Sequence, residues 1–226
     1  MCIFPNIRYD RNYIPLQRNN DTLPGSPRGM FSNLVNRHIV DGNFLDGIHN
    51  MEELESTIFE LIDHYPENGA SLEKIFHLIQ IWGGRTGRGI YNNQVFHWNE
   101  IEPLYRAFID IFRQFRQVDD ETITRAYEAV GGFYKALHKA GYKGMAVAFI
   151  TKHARFWMHR NLPDSMLPIY DSTFSYNVMQ RGKNARLRDL PDYWRAMKRK
   201  ADQENVPLAS LERQLFNYFR SDTHRQ

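Results

Sequence analysis

Cysteine is all but missing from this chain. Cys2 is the only one among 226 residues, so no disulfide framework, cysteine-ligated zinc site or iron–sulfur cluster can be assembled from it. No stretch approaches the roughly 18 consecutive apolar residues of a membrane span, and none is expected to enter a membrane. The opening run Met1-Cys2-Ile3-Phe4-Pro5-Asn6-Ile7-Arg8 lacks the basic-then-apolar order of a secretory signal. A chain without bridges or an export signal is expected in the cytoplasm. Nine histidines are present, but no His-Glu-x-x-His occurs. His153 and His159 stand six apart, off one helix face, so no metal or other cofactor is expected. There is also no internal repeat and no run of strand-like alternation. The 42% apolar and 24% charged content is that of an ordinary globular domain rather than a disordered or low-complexity chain.

The formal net charge of +3 names no partner as a total, but it is distributed in blocks. From Met51 to Glu73 the charged side chains are all acidic: Glu52, Glu53, Glu55, Glu60, Asp63, Glu67 and Glu73. From Lys135 to Arg160 the balance inverts, with Lys135, Lys139, Lys143, Lys152, Arg155 and Arg160 unopposed by any carboxylate. Between Arg181 and Lys200 eight cations face only Asp189 and Asp192, a local excess of +6. Two basic blocks in the C-terminal half are the footprint of a face that binds a polyanion; a solvated helix surface is the alternative.

Residues 1–45 carry Pro5, Pro15, Pro24 and Pro27 among several Asn and Asp, and are expected to form an extended, loop-rich arm. Residues 46–226 are expected to be one helical domain. Asn50 with Glu53 is a capping-box pattern before Leu54, Ile58, Leu61 and Ile62. Ser71 is expected to cap a helix carrying Leu72, Ile75, Phe76, Ile79 and Trp82 that stops at Gly83-Gly84. Asn99 with Glu102 repeats the capping pattern. Asp119 or Asp120 opens a helix expected to break at Gly131-Gly132 and resume to Ala140. Gly141-Tyr142-Lys143-Gly144 then turns into a helix from Met145 to about His159. Asp171 starts a short helix, and two more follow near 192–203 and 209–220. The fold class is mainly α.

Three segments can carry chemistry. Trp82-Gly83-Gly84-Arg85-Thr86-Gly87-Arg88-Gly89 is neither a Walker loop nor a dinucleotide fingerprint. Its glycines can bring backbone N–H groups to a phosphate while Arg85 and Arg88 supply charge; a helix stop followed by a surface turn is the plain alternative. Lys152, at about 100° per residue, falls at the edge of its helix's apolar stripe. Burial there, with Arg155 and Lys143 adding like charge, favours the neutral and nucleophilic amine. The alternative is a lysine lying along the stripe with its ammonium in water. Asp171 sits at a helix start, where amides and dipole hold a carboxylate ionised. The chain between Lys152 and Asp171 is long enough to fold back and bring them together.

Gly144-Met145-Ala146-Val147-Ala148-Phe149-Ile150-Thr151-Lys152, followed nineteen residues later by Asp171 in Pro168-Ile169-Tyr170-Asp171-Ser172, resembles the catalytic region of 8-oxoguanine DNA glycosylases. The closer likeness is to the bacterial proteins with that fold, within the helix-hairpin-helix DNA glycosylase superfamily. The motif covers about 35 residues and departs from the family in one respect. No Leu-Pro-Gly-x-Gly hairpin turn precedes the lysine; Gly141-Tyr142-Lys143-Gly144 stands there instead, making Lys143 a rival nucleophile. The resemblance implies a monomeric enzyme acting on duplex DNA that contains a modified base, either an oxidised guanine or a hypermodified phage base such as a glucosylated cytosine. It implies that Lys152 attacks the sugar and Asp171 stabilises the developing cation, with or without a strand-cleaving lyase step. Trp82 and Phe174 are base-stacking candidates; Arg85, Arg88, Lys139, Lys143, Arg181, Lys183 and Arg186 are phosphate candidates. A non-catalytic helical DNA-binding protein would use the basic blocks without needing Lys152 or Asp171. An interaction module built on the acidic helix would need neither.

Overall fold

The computed structural model describes residues 2–10, 42–67, 69, 71–82, 96–182 and 184–222. Among them the regular structure is helical, with no strand: α1 Met51–Asp63, α2 Leu72–Ile81, α3 Trp98–Phe112, α4 Asp120–Lys139, α5 Val147–Met158, α6 Ser172–Asn177, α7 Leu190–Glu204 and α8 Leu208–Asp222, with 3₁₀ turns at Gly42–Leu45 and Leu187–Asp189. None of these helices is long and apolar enough to cross a membrane.

Local chemistry accounts for most of the boundaries. Asn50 Oδ1 accepts from Glu53 N at 2.8 Å while Glu53 Oε2 accepts from His49 N at 2.6 Å, so orphan amides at the start of α1 are satisfied reciprocally. Ser71 caps α2 through Lys74 N, and Asp119 caps α4 through Thr122 N. The expected Asn99 cap does not form: α3 begins at Trp98 behind His97, which makes no side-chain capping bond.

The expected break in α4 is also absent. The helix runs through Gly131 and Gly132 without interruption, because α4 packs against α3, α5 and α7 and that burial outweighs the roughly 1 kcal/mol per glycine of lost propensity. A side chain at Gly131 would meet Leu187.

The link from α4 to α5 is a glycine-terminated turn. Gly141 adopts φ +96°, its N–H donates to His138 O, and Tyr142 N donates to Leu137 O at 2.9 Å, the paired bonds of a Schellman cap. Tyr142 is then tied to α3, donating from Oη to Glu100 at 3.0 Å and accepting from His97 N at 3.2 Å. The turn therefore delivers the start of α5 against the body of the molecule.

α5 is the central helix. Residues 147 and 149–158 are all buried, with α1, α2, α3 and α4 packed around them. A helix apolar on one stripe would expose the rest; this one is covered all round and so buries Thr151, Lys152, His153 and Arg155 as well. Each polar group then needs a partner. His153 Nδ1 lies 2.7 Å from Tyr105 Oη, its Nε2 lies 2.8 Å from Gln80 Nε2, and Trp157 Nε1 donates to the same Tyr105 oxygen at 2.6 Å. Burial holds the His153 pKa well below its ordinary value, so the ring is neutral at physiological pH.

Of the N-terminal arm, residues 2–10 lie along the C-terminal helices. Ile3 N donates to Val178 O at 2.8 Å. Asp10 and Gln214 exchange two bonds, Asp10 N to Gln214 Oε1 and Gln214 Nε2 to Asp10 O, each 2.8 Å. The proline-bearing stretch 11–41 lies outside the described residues.

Tyr105→Phe strands the Trp157 N–H and one nitrogen of His153 in a dry interior. It is expected to cost about 1–3 kcal/mol, seen as a lower denaturant midpoint with an unchanged slope.

Candidate active site

Lys152 lies midway along α5 and is 6% exposed. Its Nζ donates to the backbone oxygen of Trp82 at 3.2 Å, the residue that closes α2 in an extended conformation. Around it are aromatic faces, with the Phe149 ring centroid at 5.2 Å and the Trp82 centroid at 5.8 Å. Desolvation dominates in this setting and lowers the amine to about 8, with the negative charge of Asp171 acting in the opposite direction. The expectation that like charge from Arg155 and Lys143 lowers it needs correcting. Arg155 is neutralised by Glu212, and Lys143 is exposed on the turn before α5. Burial alone does the lowering.

Asp171 is the N-cap of α6, its Oδ1 accepting from Thr173 N at 2.9 Å and Phe174 N at 3.1 Å. It keeps partial contact with solvent, yet its recess is enclosed enough that desolvation is the largest influence and raises its pKa. The two capping amides, Lys152 and Arg220 pull it down. The capping amides therefore do not win outright: the carboxyl is easier to protonate than an ordinary aspartate. Lys152 and Asp171 thus lie within electrostatic reach of each other, and their proton affinities have been moved towards one another, an arrangement typical of groups that exchange protons in catalysis.

The segment that carries Asp171 is tied down at each residue. Trp194 Nε1 donates to Pro168 O at 2.8 Å, Tyr193 Oη donates to Ile169 O at 2.9 Å, and Tyr170 N donates to Thr151 Oγ1 at 3.1 Å. Ile169 N donates to Glu212 Oε1 at 2.6 Å, and the other oxygen of Glu212 accepts from Arg155 Nε at 2.8 Å. Arg155 lies one turn beyond Lys152 on α5, so a single carboxylate from α8 joins the helix bearing the amine to the strap bearing the aspartate. Glu55 of α1 completes the cluster, 3.8 Å from Arg155 and 3.1 Å from Arg213.

The other expected site residues are dispersed. Trp82 is half-buried, edge-on to Phe156 at 5.1 Å, and lies at the Lys152 amine. Phe174 is 1% exposed and packs on Tyr193 and Phe216; it supports α6 from beneath and has no face for a base, so its assignment to stacking is corrected. Lys139 and Lys143 are exposed at the α4–α5 turn. Arg181 and Arg186 are exposed on the segment after α6. Arg85, Arg88 and Lys183 lie outside the described residues. Sequence reasoning missed Glu212, Arg155 as its partner, and Arg220. The signal available for the first pair was the 155/212 charge complementarity, which without a fold is one of many.

Comparison of the chain with protein-family models, with curated proteins and with solved structures finds no match in any of the three. Function is therefore argued from these side chains.

Two outcomes follow from the geometry. Glu212→Ala leaves the Arg155 charge buried without its carboxylate and frees the Ile169 amide, and is expected to cost about 3–5 kcal/mol in chemical denaturation. Lys152 binds its proton less tightly folded than unfolded, so between about pH 8 and pH 10 the unfolded chain holds more protons and this group makes stability rise with pH. Lys152→Met removes both the buried charge and that rise, so the variant is expected to be the more stable chain in urea titration at pH 7 and to lose part of its advantage at pH 9.5.

Proposed function

We propose that this chain is a DNA glycosylase that flips a modified nucleotide out of the duplex and excises its base, with Lys152 as nucleophile and Asp171 as the carboxylate beside the reacting sugar. The observation that carries the reading is the buried amine of Lys152, lowered to about 8 and in electrostatic contact with a helix-capping aspartate. A surface lysine is protonated at physiological pH and has no lone pair to offer; this one is neutral in an appreciable fraction of molecules. The glycine-capped turn between α4 and α5 and the exposed cations Lys139, Lys143, Arg181 and Arg186 support the same reading, since they suit the positioning of a phosphate backbone.

The chemistry follows from the pair. The Lys152 lone pair forms a bond to C1′ while the electron pair of the glycosidic bond leaves with the base, which takes up a proton. The sugar passes through a cationic state that the Asp171 carboxylate stabilises. The attached amine gives up a proton, and ring opening yields an imine between Lys152 and C1′, the Schiff base from which the 3′ phosphate can be eliminated. If water rather than Lys152 attacks, the same carboxylate orients it and the base is released without strand cleavage.

The test is incubation with duplexes carrying either an oxidised guanine or a glucosylated cytosine, with borohydride present to trap the imine. A covalent protein–DNA adduct that forms faster as the pH rises towards about 8 and disappears in Lys152→Ala is the expected result. Asp171→Asn keeps the cap but is expected to slow base release about 10²–10³-fold. Adduct loss in Lys143→Ala instead would transfer the nucleophile to the turn. Base release without an adduct would leave Asp171 and water as the machinery, and no release from any duplex would leave a DNA-binding protein without this activity.

A further inference from the structure

One exposed aromatic lies beside the candidate site, in a setting that its own helix cannot explain. Among the described residues only Ile3 and Tyr176 are exposed large hydrophobic side chains, Tyr176 at 56%. Tyr176 belongs to α6, the helix that Asp171 caps. Phe174 and Ser175 form the buried side of that helix, while Ser172 and Tyr176, four apart, form its exposed side. From Asp171 to Tyr176 the axis advances about 7.5 Å, about two base steps of ~3.4 Å along a DNA strand.

Cations flank this face. At the Tyr176 end the chain reverses at Gln180, φ +54°, and is clamped back on α6 through Ser175: Arg181 N donates to Ser175 O at 2.9 Å, and Ser175 Oγ donates to Gly182 O at 2.8 Å. The backbone of the exposed Arg181 is thereby held next to Ser175, the residue before Tyr176. Its nearest carboxylate is Asp189, 3.8 Å away and buried. At the other end Arg220 of α8 lies over the Phe216 ring at 5.0 Å, and its charge reaches Asp171. The six residues of α6 carry no charge themselves. An uncharged helix with one exposed ring and an arginine anchored near each end matches a nucleotide strand, with the ring for a base and the cations for phosphates.

We propose that Tyr176 is the stacking platform for a nucleotide neighbouring the one placed at Asp171, with Arg181 and Arg220 holding the flanking phosphates. This inference rests on DNA being the partner but not on excision taking place, so binding tests it alone. The probe is a duplex with a tetrahydrofuran abasic analogue and 2-aminopurine beside it, titrated with the full chain at several salt concentrations. Tyr176→Ala is expected to weaken binding about 5- to 150-fold, the range for loss of one base–aromatic stack, with an unchanged salt slope. Tyr176→Trp is expected to restore affinity, with indole and 2-aminopurine fluorescence both quenched in the complex. Arg181→Ala is expected to lower the salt slope by about 1. Equal affinity of Tyr176→Ala and wild type, or 2-aminopurine emission indifferent to the residue at 176, overturns the proposal while leaving the glycosylase reading intact. Binding that depends on Tyr176 without base release by wild type does the reverse.

Discussion

Everything around the candidate site depends on one buried carboxylate. Glu212 accepts from Arg155 with one oxygen and from Ile169 N with the other, and it does so in an interior where an isolated charge would cost several kcal/mol. The pair makes it possible for α5 to be buried on every side while carrying two cations. Without Glu212 and Glu55 the Arg155 guanidinium would be a buried charge with no carboxylate beside it, at a cost of several kcal/mol. The same carboxylate holds the strap on which Asp171 sits, through the Ile169 amide.

Two opposing influences meet at Asp171, and their balance matters for chemistry. Cap bonds to Thr173 and Phe174 stabilise the anion and fix its direction, while enclosure in the recess destabilises it. A carboxylate held only by caps would be firmly ionised and a poor proton acceptor; one held only by burial would be protonated and unable to stabilise a cation. The combination leaves a group that is oriented by its cap bonds and more basic than its free counterpart. On the lysine side, the Trp82 carbonyl at the end of α2 accepts from Nζ, giving the amine a fixed direction that a snorkelling side chain would lack.

Much of the architecture was legible in the sequence because it is dictated locally. Asn50, Ser71, Asp119 and Asp171 each cap the helix that their position announced, and most of the apolar positions read for α1 and α2 are among the residues those helices bury. What was misread depended on tertiary contacts. Gly131-Gly132 reads as a break until α3, α5 and α7 are present to hold the helix straight. Phe174 reads as an available ring until Tyr193 and Phe216 close over it. Lys152 reads as a lysine at the margin of an apolar stripe until α1, α2, α3 and α4 cover the helix all round, and the strength of the effect comes from that cover. Glu212 and Arg220, on α8, were invisible because nothing in the chain's order links them to residues so far upstream.

The span between Arg155 and Glu212 has a consequence for when the chain becomes reactive. The two are 57 residues apart, with the strap, α6, α7 and the whole second basic block between them. In an unfolded chain Lys152 is hydrated and has the ordinary basicity of a lysine, near 10.4, so at neutral pH almost all of it is ammonium. Burial in the folded chain lowers it to about 8, which leaves more of it as free amine at the same pH. The free-amine fraction of Lys152 is therefore a property of the folded chain, and it falls when the chain unfolds.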